Sequence, residues 1–74
     1  MSAIIKQRTV NGFYICLRLD FDGNASYYSV KTYIKQSNDL YSRPIEAMRY
    51  PLSDRKNALR TYNRYVKKYS IYYV

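Results

Sequence analysis

Asn11-Gly12 joins two apolar-rich runs, and the second of them, Phe13 to Phe21, alternates residue by residue. Asn-Gly suits a two-residue type I′ turn, because both positions accept positive φ. Phe13, Ile15, Leu17, Leu19 and Phe21 fall on one side of an extended chain, and Tyr14, Cys16, Arg18 and Asp20 on the other. An antiparallel hairpin is therefore expected at the start of the chain, with strands over 3–10 and 13–21. Asp22-Gly23-Asn24 marks a second turn into a strand over 26–35. That strand has Tyr28, Val30 and Ile34 on one face and Tyr27, Lys31, Tyr33 and Lys35 on the other. A two-residue Asp22-Gly23 loop sets Leu19 opposite Ser26, Leu17 opposite Tyr28 and Ile15 opposite Val30, so the apolar sets share a face. The first hairpin fits less well, since a tight turn puts Lys6 and Arg8 on the side of Leu17 and Ile15. Either its loop is longer or bulged, or the first strand is an edge whose basic side chains reach water.

Residues 36–43 read as a polar loop. Ser42 is placed to cap a short helix over Pro44–Arg49, which Tyr50-Pro51 would end. The main helix is expected to start at Ser53 or Asp54. Stepping 100° per residue from Lys56 at 0°, Tyr65, Ala58, Tyr69, Tyr62, Val66 and Leu59 fall between about 180° and 300°. Lys56, Lys67, Arg60, Arg64 and Lys68 fall between about 0° and 120°. One arc packs on the sheet and the other forms a continuous positive stripe. The tail, residues 70–74, has strand composition and is a candidate fourth strand. The predicted fold is α+β: an antiparallel three- or four-stranded sheet packed against one long C-terminal amphipathic helix. Its 74 residues, 1–74, make a single domain with one small core.

The composition removes most chemistry. A single cysteine, Cys16, excludes a disulfide within the chain, and no Cys/His cluster has zinc-ligand spacing. There is no histidine to act as acid or base near neutral pH, and Cys16 sits mid-strand without one as a partner. Asp20, Asp22 and Asn24 resemble a fragment of a calcium loop but lack the later ligands, so a turn explains them better. No glycine-rich phosphate loop is present. A non-enzyme without cofactor or metal is expected. No apolar run of about 18 residues suggests a membrane span, and the N-terminus lacks the apolar stretch of a secretory signal. The expected compartment is the cytoplasm.

What remains is charge and tyrosine. The net charge is +8 and there are eleven tyrosines. Residues 55–74 hold Arg55, Lys56, Arg60, Arg64, Lys67 and Lys68 and no acid, whereas all five acids lie within 20–54. Lys56, Arg60 and Arg64 are successive i+4 like-charge neighbours, which costs a few tenths of a kcal/mol per pair. A merely solvated helix face usually intersperses acids at that spacing. The stripe thus points to a polyanion, with Lys56, Arg60, Arg64, Lys67 and Lys68 contacting phosphates. A second candidate surface is the outer sheet face, where Tyr14, Arg18, Tyr27, Lys31, Tyr33 and Lys35 could stack bases and hold phosphates. Ordinary cross-strand tyrosine pairing or a homodimer interface explains the same residues. RNA is favoured over duplex DNA, because the helix offers phosphate-binding cations and few base-reading amides apart from Asn57 and Asn63.

With "ALRTYNRYVKKY" and its bulk composition, the chain resembles the short, basic, tyrosine-rich accessory proteins of tailed phages. Among these it is similar to the RNA-binding inhibitors that T-even phages direct against a toxin–antitoxin ribonuclease. The resemblance implies a protein that binds RNA and with it sequesters a host defence toxin. Two other readings stay open. One is a protein-binding inhibitor of an acidic host enzyme, of the anti-CRISPR or host-takeover kind. The other is a small DNA-binding regulator.

Overall fold

The structure, a computed structural model, describes residues 2–34 and 44–71. Four strands form one antiparallel meander: β1 (Ser2–Val10), β2 (Phe13–Asp22), β3 (Ala25–Ile34) and β4 (Glu46–Pro51), side by side in that order. A 3₁₀ turn over Leu52–Asp54 leads into α1 (Arg55–Ser70), which packs across one face of the sheet. The α+β architecture expected from the sequence is the one observed.

The first turn is two residues long, with Asn11 at φ 51° and Gly12 at φ 84°, as a type I′ turn requires. Tight pairing does set Arg8 opposite Ile15 and Lys6 opposite Leu17. Two devices accommodate this. β1 is an edge strand, so Lys6 and Arg8 reach water. A bulge between Ile4 and Lys6 then shifts the register and leaves Ile5 packed against the core. Of the alternatives open at the sequence level, the edge strand is the one observed: the loop itself is tight, and the bulge lies within β1.

The second turn corrects the expected register. The loop is Gly23-Asn24, with Asp22 opposite Ala25, so Leu19 faces Tyr28 and Leu17 faces Val30. Gly23 takes the positive φ of 64° at the first loop position, where it carries no Cβ penalty. Sliding the loop by one residue shifts the pairing by two, and a shift of two leaves every side chain on its expected face. Ile15, Leu17, Tyr28 and Val30 are buried as predicted, beneath Ala58, Tyr62, Tyr65 and Tyr69 of α1. Phe21 and Ile34, assigned to the same face, are 43% exposed. Phe21 pairs with Ser26 near the Gly23-Asn24 turn and Ile34 with Phe13 at the opposite end of the hairpin.

Glu46–Pro51 is strand, not the short helix predicted over Pro44–Arg49. Six residues gain little from a helix whose nucleation is unfavourable. As a strand they pair with Tyr27–Thr32, whose backbone donors and acceptors would otherwise be exposed along a sheet edge beside the fully buried Val30 and Thr32. Ile45 N–H donates to Thr32 O at 2.8 Å and starts the ladder. Pro51 closes the strand at its last position, where a missing donor costs least. The fourth strand is therefore β4. The tail proposed for that role continues the helix at Ser70 and turns at Ile71; residues 72–74, Ser42 and the loop over 36–43 lie outside the described residues.

Candidate nucleic-acid interface

Helix α1 begins as the sequence suggested, with Asp54 at the N-cap position. Its carboxylate does not cap the backbone; it accepts two hydrogen bonds from Asn57 Nδ2, at 2.8 and 3.0 Å. Asn57 is thereby occupied. The buried side of the helix is Ala58, Thr61, Tyr62, Tyr65 and Tyr69. Thr61 lay outside the predicted apolar arc. It is buried because the Tyr50 hydroxyl of β4 hydrogen-bonds its Oγ1.

The opposite side presents Lys56, Arg60, Arg64 and Lys67, all exposed. Among the described residues none of the four has a carboxylate within ion-pair distance. From Lys56 to Lys67 the row climbs about 16 Å along the helix axis at 1.5 Å per residue. Lys68 differs. Its Nζ lies 3.0 Å from Glu46 Oε1 and 5.4 Å from the centre of the Tyr69 ring. Glu46 Oε2 also accepts a hydrogen bond from the Tyr69 hydroxyl. Lys68 is thus half-buried and ties α1 to β4 rather than completing the row. Partial burial of Glu46 acts to raise its pKa. The bonds from Tyr69 and Lys68 and the nearby charges of Lys68 and Arg64 outweigh burial and hold it below the ordinary carboxylate value.

The outer face of the sheet is a different surface. Alternation turns Tyr14, Cys16, Arg18 and Asp20 of β2, and Tyr27, Ser29, Lys31 and Tyr33 of β3, away from α1. The two candidate surfaces are therefore separated by the thickness of the sheet and helix, and no single flat contact spans both. On this face Cys16 and Ser29 are 1% and 0% exposed. The Tyr14 and Tyr33 rings sit 6.2 Å apart at one end, and Tyr14 donates to Gln7 Oε1. Near the other end the Arg49 guanidinium lies 4.7 Å from the centre of the Tyr27 ring. Arg18 is held by Asp20, Nε to Oδ1 at 3.4 Å, while Asp20 Oδ2 accepts from Ser29 Oγ at 2.6 Å. Burial pushes the Tyr33 hydroxyl above its ordinary pKa, despite a hydrogen bond from Arg18 that favours the phenolate. Burial likewise raises Cys16 against the pull of Arg18 and Lys31.

Arg49 belongs to this face and was hidden at the sequence level, because its segment read as helix. Its signal was the alternation Glu46, Met48, Tyr50 against Ala47, Arg49, Pro51. Lys35 lies outside the described residues. Among the described residues no group of three His, Cys, Asp or Glu side chains could hold a metal ion, and no helix is long and apolar enough to cross a membrane. The sequence matches no protein-family model, and neither a curated protein nor a solved structure matches it.

Proposed function

We propose that this protein is a non-catalytic RNA-binding protein that holds phosphates along the outer side of α1, through Lys56, Arg60, Arg64 and Lys67. One observation carries this reading. The four cations stand exposed in a single row without carboxylate partners among the described residues, while Lys68, next to them in sequence, is tied to Glu46. Glu46 ion-pairs with Lys68 and reaches Arg64 only through its longer-range charge, and the side chains of Lys56, Arg60, Arg64 and Lys67 face solvent. Such a row attracts a polyanion and releases its counterions on contact. Asn57 is engaged by Asp54, so only Asn63 remains as an exposed amide among the cations, which favours reading of phosphate and shape over a base code. The biological setting follows from the resemblance to phage accessory proteins: counter-defence, in which the RNA-bound protein occupies a host toxin ribonuclease.

The test is filter binding of RNA to the wild type and to Arg60→Glu/Arg64→Glu, across salt concentration. Four phosphate contacts to a single strand give a log–log salt slope near −3, by the coefficient of about −0.7 per contact. The double variant should keep its fold, since both side chains are exposed, and lose RNA retention. Normal folding with unchanged retention removes these residues from the site. Retention of an acidic host protein instead of RNA, resistant to nuclease, would favour the protein-binding reading.

A further inference from the structure

We infer that the phosphate-binding surface has a second wall, formed by Lys6 and Arg8 of β1, and that an RNA strand lies along the flank of the domain between this pair and the row on α1. The inference rests on the reading of the protein as an RNA binder and extends that site. Lys6 pairs with Leu17 and Arg8 with Ile15, and directly opposed residues share a face, so both side chains rise from the side of the sheet that carries α1. Both are exposed. The helix is oriented by its bonds to the other edge of the sheet: Thr61 with Tyr50 and Lys68 with Glu46, both on β4. With Lys56 at 0°, Thr61 and Lys68 stand at about 140° and 120°, and Leu59 and Val66 at about 300° and 280°. The strand order β1-β2-β3-β4 then turns the Leu59–Val66 side toward β1. Leu59 and Val66, like Ile5 and Val10 of β1, are partly buried against the core.

The two basic sets also run over the same length. Asn11, at the end of β1, bonds the carbonyls of Tyr69 and Ser70 at the end of α1. Arg8 precedes Asn11 by about 10 Å at strand rise. Tyr62 precedes Tyr69 by about 10 Å at helix rise. Arg8 thus stands abreast of Tyr62. Burial raises the Tyr62 hydroxyl pKa, and the Arg8 charge is close enough to act against that rise. Lys6 lies about 7 Å further back along β1, beside the turn that holds Leu59. Charge selects the occupant. Among the described residues no acid stands on this flank: Asp20 is on the opposite face with Ser29, Asp22 is beside the β2–β3 turn, Glu46 is on β4 and Asp54 is bonded to Asn57. Cations unbroken by acids suit a chain of uniform negative charge, a phosphodiester backbone.

The test is filter binding of a short single-stranded RNA across salt concentration by the full-length wild type, Lys6→Gln/Arg8→Gln, Lys6→Arg/Arg8→Lys and Arg60→Glu/Arg64→Glu. Six phosphate contacts give a log–log slope of about −4, against about −3 for the four helix cations alone. Wild type and Lys6→Arg/Arg8→Lys should show the steeper slope. Lys6→Gln/Arg8→Gln should fall to about −3 and bind about tenfold more weakly at low salt, with an unchanged urea midpoint. Equal affinities and a shared slope of about −3 in wild type and Lys6→Gln/Arg8→Gln would overturn the second wall and leave the helix row standing. Lost binding in Lys6→Gln/Arg8→Gln with undiminished binding in Arg60→Glu/Arg64→Glu would remove the helix row and support the β1 pair. No salt-dependent RNA binding by the wild type would overturn both.

Discussion

Asn11 Nδ2 donates to the carbonyl oxygen of Tyr69 at 3.1 Å and to that of Ser70 at 3.0 Å, so the first turn of the chain closes the end of its last helix. The same residue holds the positive φ of the β1–β2 turn. The last carbonyls of a helix lack internal partners, and here a side chain 58 residues away supplies two donors.

The two roles of Asn11 can be separated by substitution. Asn11→Gly keeps the backbone conformation and removes both hydrogen bonds; it should cost about 1 kcal/mol. Asn11→Asp replaces the donor with a carboxylate against the negative end of the helix, and should cost more than the glycine variant. Urea denaturation of the three proteins gives the order. Equal stability of Asn11→Asp and wild type would show that the bonds to Tyr69 and Ser70 contribute nothing.

Thr32 is fully buried, and among the described residues its Oγ1 has no hydrogen-bond partner. Thr32→Val keeps the β-branched shape and removes a desolvated hydroxyl. The variant should be more stable than wild type by about 1 kcal/mol, read as a higher urea midpoint at unchanged m-value. A destabilised variant would mean that the hydroxyl is satisfied in solution.

Glu46 links the stability of the helix–β4 contact to pH. Its pKa is lowered in the folded protein, so the unfolded chain binds the proton more tightly. The contribution is present above the ordinary glutamate value and is lost as pH falls through the lower folded value. Stability should therefore decline below about pH 5, and Glu46→Gln should make that decline shallower. Denaturation midpoints at neutral and acid pH decide it. An identical acid response in the variant would place the loss elsewhere.

Cys16 is 1% exposed and its thiol pKa is raised by burial. Its alkylation in the native protein should be far slower than that of a free thiol and should accelerate only in denaturant. Rapid modification under native conditions would show that the thiol is open to solvent in the folded protein.

Short-range periodicity carried much of this fold into view from residue order alone. The faces of β2 and β3 follow from alternation at Ile15, Leu17, Tyr28 and Val30. The buried tyrosines and exposed cations of α1 follow from its 3.6-residue repeat. Both periods are properties of a chain's own geometry, so residue order suffices to read them. The pairing of Leu19 with Tyr28 instead of Ser26 was beyond reach, because either loop keeps the same faces. The strand at Glu46–Pro51 was marked only by a weak alternation, and the deciding gain comes from β3, its pairing partner. The same holds for the candidate sites. Periodicity brought the row of Lys56, Arg60, Arg64 and Lys67 together. Which cation is neutralised, Lys68 by Glu46, and that Arg49 joins the outer sheet face, depended on packing between distant segments, where contact geometry and not local order assigns each charge its neighbour.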